Sequence, residues 1–330
     1  MQTSKYDFVI HLGTDKTGST AIQSFLALNE AQLMEHGILY PRLRGEQTFS
    51  PPHDWAAKRG INVNGNGYPL VENINLLEEF CEQLDTNMNN ETFVISSERL
   101  LNIFSISHTW QILEKIMELK KVSFKIVVYT RSFYSYLISN YNERVKSSGE
   151  TRTFVEYIEE AFSGHIEVPQ IHYLPKMLKL SEEHPNIAIE TFKYEESLPQ
   201  IEDHFFREIF NLNTANFKSC NHSNNRSLTQ IENIFMRMIN TEDNEFGKKL
   251  GWKISAETSN SSKFMLTFDE FSKSYTQIKA LYMENQQMYL KYGIELGEKK
   301  IEVRNATLIT ENDLRIFTKV LYGILTKGSI

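Results

Sequence analysis

The sequence predicts an α/β protein: a mainly parallel, doubly wound sheet with flanking helices and a helical C-terminal elaboration. Four short runs, FVIHLG (8–13), TFVISSE (92–98), FKIVVYTR (124–131) and IAIETF (187–192), are apolar along consecutive positions. Strands covered on both faces have that pattern, whereas half-exposed strands alternate. Segments with helical spacing fall between the runs, and such alternation implies right-handed crossovers between parallel strands.

The first run leads into residues 17–36, where Ile22, Phe25, Leu26 and Leu33 share a face, so one helix is expected there. Between Arg42 and Asn66 the stretch RLRGEQTFSPPHDWAAKRGINVNGNG is rich in Gly, Pro and Asn and has no sustained period. Long excursions of this kind tend to carry function. SHTWQILEKIMELK (107–120) reads as a helix. Residues 132–147 read as another, with Tyr134, Ile138, Tyr141 and Val145 on an apolar stripe and Ser135, Ser139, Asn142 and Lys146 on a polar one. One face is therefore expected to pack while the other lines a site. After the fourth run the pattern is helical, interrupted by LNTANFKSCNHSNNRS and SAETSNSSK, with a long helix expected around 268–292 and a terminal one around 311–327. The expected organisation is an α/β core over 1–240, an insertion near 42–68, and a helical extension over 241–330.

Composition narrows the function classes. The 330 residues are 41% hydrophobic, enough for a sizeable core. A net charge of −7 argues against a general nucleic-acid binder, which recruits phosphates with a basic excess. The lysines of ELKKVSFK and FGKKLGWK read as solvated faces. Cys81 and Cys220 are too few and too far apart for a disulfide framework or a paired metal motif. MQTSKYD has no basic-then-apolar leader and no run reaches the ~20 residues of a membrane span, so a soluble cytoplasmic protein is expected.

The stretch FVIHLGTDKTGSTAIQSFL reads as strand, glycine turn and helix. Such a turn aims backbone N–H groups at one point and the helix dipole adds positive charge there, so an anion is stabilised without a metal. Gly13 and Gly18 keep the glycine spacing of a Walker A loop, but Ser19 follows the second glycine and the lysine sits inside the turn at Lys16. From there Lys16 would reach a bridging or leaving oxygen at the reacting end, as suits transfer from a mixed anhydride.

GTDKTGST, followed by a helix and GILYP, resembles the 5′-phosphosulfate-binding loop of sulfotransferases that use 3′-phosphoadenosine 5′-phosphosulfate, particularly the bacterial and carbohydrate-type members. The resemblance implies a P-loop-like sulfotransferase fold in which Lys16, Thr17, Gly18, Ser19 and Thr20 bind the phosphosulfate. Asp15 departs from the neutral residue expected beside an anion. The family also carries an arginine at a strand end and a serine eight residues later, which grip the 3′-phosphate, and Arg131 and Ser139 match that spacing. Arginine suits the task because its planar fork donates two parallel hydrogen bonds. Asn225 and Arg226, with Ser227, resemble a loop that closes over the nucleotide, although helix capping explains Asn225 or Ser227 equally well. Tyr194 and Glu195 resemble a recurring family segment and are read first as structural. The resemblance implies adenosine 3′,5′-bisphosphate as product and no metal.

Transfer to a hydroxyl needs a base for the acceptor and charge stabilisation on the leaving oxygen. Glu98 is the expected base, at a strand end where ligands gather in open α/β sheets and where the family places a histidine or glutamate. A salt bridge with Arg99 is its plain alternative. His53, in SPPHDW, is the rival base, ranked as a substrate contact. His11 reads as a packed histidine beside the loop. The expected acceptor is a carbohydrate, glycoconjugate or other small molecule, with the C-terminal helices shaping its cleft or a contact between two copies of the chain. Two other functions fit less of the pattern: a P-loop kinase with Glu98 acting on magnesium, and a nucleotide-binding module without chemistry.

Overall fold

The computed structural model describes residues 6–14, 16–40, 91–98, 100–219, 227–257, 266–297 and 303–304. The excursion at 42–66 with His53, the cysteines, Asp15, Arg99, Asn225, Arg226 and the expected helix at 311–327 lie outside them.

In chain order the elements are β1 (Phe8–Leu12), α1 (Ser19–Leu28), α2 (Glu30–Glu35), β2 (Ile38–Leu39), β3 (Thr92–Ser97), α3 (Leu100–Phe104), α4 (Ser107–Lys120) and β4 (Phe124–Thr130). Then come α5 (Phe133–Ser147), α6 (Phe154–Phe162), α7 (Pro169–His172), α8 (Leu174–Glu183), β5 (Ala188–Lys193), a 3₁₀ turn (Tyr194–Glu196) and α9 (Ile201–Phe210). The chain continues through α10 (Gln230–Glu242), α11 (Asn244–Glu257), β6 (Leu266–Thr267), α12 (Phe268–Glu284), α13 (Gln286–Lys291) and β7 (Val303–Arg304). It forms two compact units.

The first unit comprises Met1–Arg131, Glu167–Cys220 and Asn285–Glu295. Its five-stranded sheet has the order β2-β3-β1-β4-β5, and every pairing is parallel. This is an α/β fold with flanking helices, and β1 lies between β3 and β4. All five residues of β1 are buried, as expected of a strand covered on both faces. Register is fixed at the N-terminal end of the sheet: Phe8 pairs with Phe93 and Phe124 and stacks on both rings, at 5.6 and 4.8 Å. The Asp7 carboxylate accepts from both the backbone N–H and the hydroxyl of Ser123, each at 2.7 Å. On one face Val9, Val94 and Val127 pack with Ile22 and Phe25 of α1 and with Phe205 and Phe206 of α9.

Two expected helices are each broken in two. Residues 17–36 divide at Asn29, whose side chain donates to Phe25 O (3.1 Å) and Lys218 O (3.0 Å) and accepts from Lys218 N (2.9 Å). That tertiary anchor replaces helix continuity with a tie to a distant loop. Residues 268–292 divide at Asn285 into α12 and α13. The α13 segment belongs to the first unit, where Tyr292 O accepts from Thr191 of β5 (3.2 Å) and the Tyr289 hydroxyl donates to Gln170 O (3.1 Å).

The second unit takes Ser132–Ile166, Asn221–Glu284 and Leu296–Ile330. Its helices start on local signals: Thr153 with Glu156 and Thr229 with Glu232 form capping boxes at α6 and α10. The polar stripe along α5, expected to line a site while the opposite face packs, is itself partly buried. Asn142 is buried and donates to Leu228 O (3.1 Å). Lys146 is also buried, paired with Glu143 at 2.6 Å and lying 4.9 Å from the Trp252 ring. Both groups have partners inside the helical unit, which is how buried polar groups persist. Among the described residues no helix is long and apolar enough to cross a membrane.

Candidate functional site

The C-terminal ends of four adjacent strands, β3, β1, β4 and β5, carry Glu98, the Gly13–Ser19 turn, Arg131 and the Tyr194–Glu196 turn respectively. All belong to the first unit. The β1 turn is anchored on both sides. Gly13 N donates to Ser97 O of β3 (3.1 Å), and the Thr14 hydroxyl donates to Tyr129 O of β4 (2.9 Å).

Gly13 is required by contact. A Cβ there would lie 2.8 Å from Glu98 Cγ and 3.0 Å from Ser19 Cβ, so the missing side chain is what lets those two groups meet. They do meet, with the Ser19 hydroxyl donating to Glu98 Oε1. Gly18 is required by backbone conformation, with φ +76°, and by packing, since a Cβ would lie 2.9 Å from Ile201 Cδ1 and 3.2 Å from Tyr194 Cε2.

Lys16 shares the left-handed conformation, with φ +67°. A side chain there costs about 1–2 kcal/mol relative to the right-handed region. Two residues with left-handed φ flank Thr17, and the turn runs directly into α1. The Thr17 hydroxyl donates to Thr14 O and closes this turn from inside. The N-cap Gly18 provides no side-chain cap, and the first N–H groups of α1 have no carbonyl upstream in the helix. Thr20 is exposed at the second position of α1.

Arg131 reaches this turn. Its Nη1 lies 3.4 Å from Lys16 O, a long contact near the limit of a hydrogen bond. Its Nε is 3.6 Å from Glu195 Oε1, its Cζ is 5.3 Å from the Tyr194 ring centre, and its own carbonyl accepts from Gln170 Nε2 at 2.8 Å. The buried Nε–H makes no hydrogen bond. A guanidinium placed over an aromatic ring, with a buried donor still to satisfy, is equipped to receive an oxyanion.

The structure therefore brings Lys16, Thr17, Gly18, Ser19, Thr20, Glu98 and Arg131 to one end of one sheet. It also shows how the hydroxyls are employed: those of Thr17 and Ser19, expected to face a ligand, donate to Thr14 O and Glu98. The loop's capacity for an anion then rests on backbone N–H groups, Lys16 and Thr20. Ser139 lies half-buried on α5 in the second unit. His11 is fully buried, its Nδ1 is 2.8 Å from Ser96 Oγ, and burial holds its pKa down to about 3, so it is a neutral packed histidine.

Tyr194 and Glu195, read from the sequence as structural first, touch Arg131 directly. The signal for them is strand register. Thr130 pairs with Lys193, so the residues that follow each strand emerge side by side. Compared with models of protein families, with curated proteins and with solved structures, the chain matches none.

Proposed function

We propose that the chain is a sulfotransferase, moving a sulfuryl group from 3′-phosphoadenosine 5′-phosphosulfate to a hydroxyl or amine of a carbohydrate, glycoconjugate or small-molecule acceptor. The observation that carries this reading is Lys16 in a left-handed backbone conformation inside the turn, with Arg131 at its carbonyl. Glycine would hold that backbone without strain. A lysine kept there supports a role for its charge at the turn, because strain of this kind persists at sites that use it.

The strand order supports the same reading. With β1 between β3 and β4, the turn opens where successive crossovers diverge, the crevice in which open α/β sheets bind ligands. The residues present suit a donor with two anionic ends. The turn and the N-terminus of α1 would hold the 5′-phosphosulfate, and Arg131 the 3′-phosphate, its buried Nε–H gaining an acceptor.

When bound, the donor would supply the sulfuryl group, an S–O bond to an acceptor hydroxyl (or an S–N bond to an amine) replacing the S–O bond to the 5′-phosphate, with adenosine 3′,5′-bisphosphate as the leaving group. Lys16 and the α1 amides stabilise negative charge on the departing phosphate oxygen. Glu98 takes the acceptor proton, and the Ser19 hydroxyl orients its carboxylate by donating to Oε1. Because Gly13 lacks a side chain, Glu98 sits against the first turn of α1.

The test is turnover. Acceptors incubated with the donor and the chain should gain one sulfuryl group by mass spectrometry. Glu98→Gln should abolish that gain while keeping affinity for adenosine 3′,5′-bisphosphate. A Glu98→Gln variant with full turnover would remove Glu98 from the chemistry.

A further inference from the structure

The Arg131 guanidinium is accompanied by a carboxylate of its own. Glu195 follows Tyr194 on the 3₁₀ turn at the end of β5, so the aromatic platform and the counter-charge reach Arg131 from one short segment. We propose that Glu195 is a resident counter-ion to Arg131 that sets discrimination between nucleotides carrying one phosphate and those carrying two. This inference rests on the reading of the site as one that binds an adenosine nucleotide.

Three observations carry it. The pair is close enough to attract, at 3.6 Å, yet the buried Nε–H of Arg131 makes no hydrogen bond. That donor is thus open to a phosphate oxygen, which would form a shorter charge-assisted bond with it. Second, both side chains are about three-quarters covered, 25% and 23% exposed, so water and salt screen their interaction less than on an open surface. A phosphate approaching Arg131 therefore also meets the negative charge of Glu195. Third, the described charges at these strand ends are balanced, Lys16, Arg131 and Lys193 against Glu98, Glu195 and Glu196. A site without a large positive surplus does not collect anions indiscriminately. It selects by offering one group attraction and repulsion together, and only a ligand anchored elsewhere by a first phosphate and a base overcomes the repulsion.

Under this arrangement Glu195 weakens the second phosphate contact and leaves the first, at the turn, untouched. A carboxylate that merely braced Arg131 would act in the opposite sense, since removing it would release the guanidinium and weaken binding.

The experiment is calorimetry of the full chain with adenosine 3′,5′-bisphosphate and with adenosine 5′-monophosphate, for the wild type, Glu195→Gln and Glu195→Ala. Gln keeps the size of the side chain and removes its charge; Ala removes both, and thermal unfolding shows that each variant is folded. The expected result is bisphosphate binding about three- to tenfold tighter in either variant, with monophosphate affinity changed by less than about twofold. Weaker bisphosphate binding in the variants would make Glu195 a brace and overturn the proposal, as would an unchanged ratio between the two nucleotides. A wild type that takes up neither nucleotide would overturn the nucleotide reading and this inference with it, and that outcome is visible before any variant is compared.

Discussion

The Arg131 guanidinium and the Lys16 backbone meet across 115 positions of sequence, Nη1 to carbonyl oxygen, at the end of two adjacent parallel strands. The contact ties the β4 end to the β1 turn through the peptide of Lys16, a non-glycine residue with positive φ. It makes the conformation of Lys16, and its charge, separately testable.

Replacing Lys16 with glycine relieves the left-handed strain, whereas alanine keeps it. Lys16→Gly should be more stable than Lys16→Ala by about 1 kcal/mol in chemical denaturation, while both lose anion affinity. Equal stability of the two would mean that the backbone at residue 16 relaxes at no cost.

Both glycines of the turn should resist substitution for different reasons. Gly18→Ala forces a left-handed alanine against Ile201 and should cost about 1–3 kcal/mol of stability. Gly13→Ala drives its methyl between Glu98 and Ser19, so turnover should fall further than stability does. Denaturation curves read beside the acceptor assay separate the two effects.

His11 gives a prediction in pH. Burial lowers its pKa from 6.5 to about 3, so between those values the unfolded chain takes up a proton that the folded chain refuses. Its contribution to stability is full above pH 6.5 and falls as pH drops toward 3, by up to about 1.4 kcal/mol per pH unit. His11→Gln, which cannot titrate, should flatten the acid limb of stability against pH by about one proton. Parallel limbs for the two proteins would place a charged imidazole in the fold.

Ser19→Ala removes the donor to Glu98 Oε1 without touching the backbone of the turn. It should lower kcat several-fold more than it raises KM for the donor, because the hydroxyl orients the base and does not hold the ligand. A rise in KM with unchanged kcat would instead assign Ser19 to ligand binding.

Legibility in the sequence followed the range of the interactions. The runs behind β1, β3 and β4 could be read because strands buried on both faces show consecutive apolar residues, and α4 could be read to the residue; β5 was found by the same sign, yet it is an edge strand and each of its residues is only half-buried. Ile38–Leu39 could not, since two residues carry no period and β2 exists only through pairing with Thr92 and Phe93. The break at Asn29 depends on Lys218, far along the chain, and no local helix signal reports it. The glycines and lysine of the turn were legible because their spacing is local. The inward turn of the Thr17 and Ser19 hydroxyls was not, because it depends on Thr14 O and on a carboxylate from another strand. Tyr194 and Glu195 were seen but undervalued: only the pairing of Thr130 with Lys193 shows that they flank Arg131.

The central claim is that one end of this sheet grasps an adenosine carrying phosphates on both its 3′ and 5′ oxygens. Calorimetry with adenosine 3′,5′-bisphosphate in the presence of a metal chelator tests it most directly. The account predicts saturable binding that falls at least about tenfold in Arg131→Ala, with ATP plus magnesium binding more weakly to the wild type. Binding of ATP plus magnesium in preference to the bisphosphate, with Arg131→Ala unaffected, would contradict it.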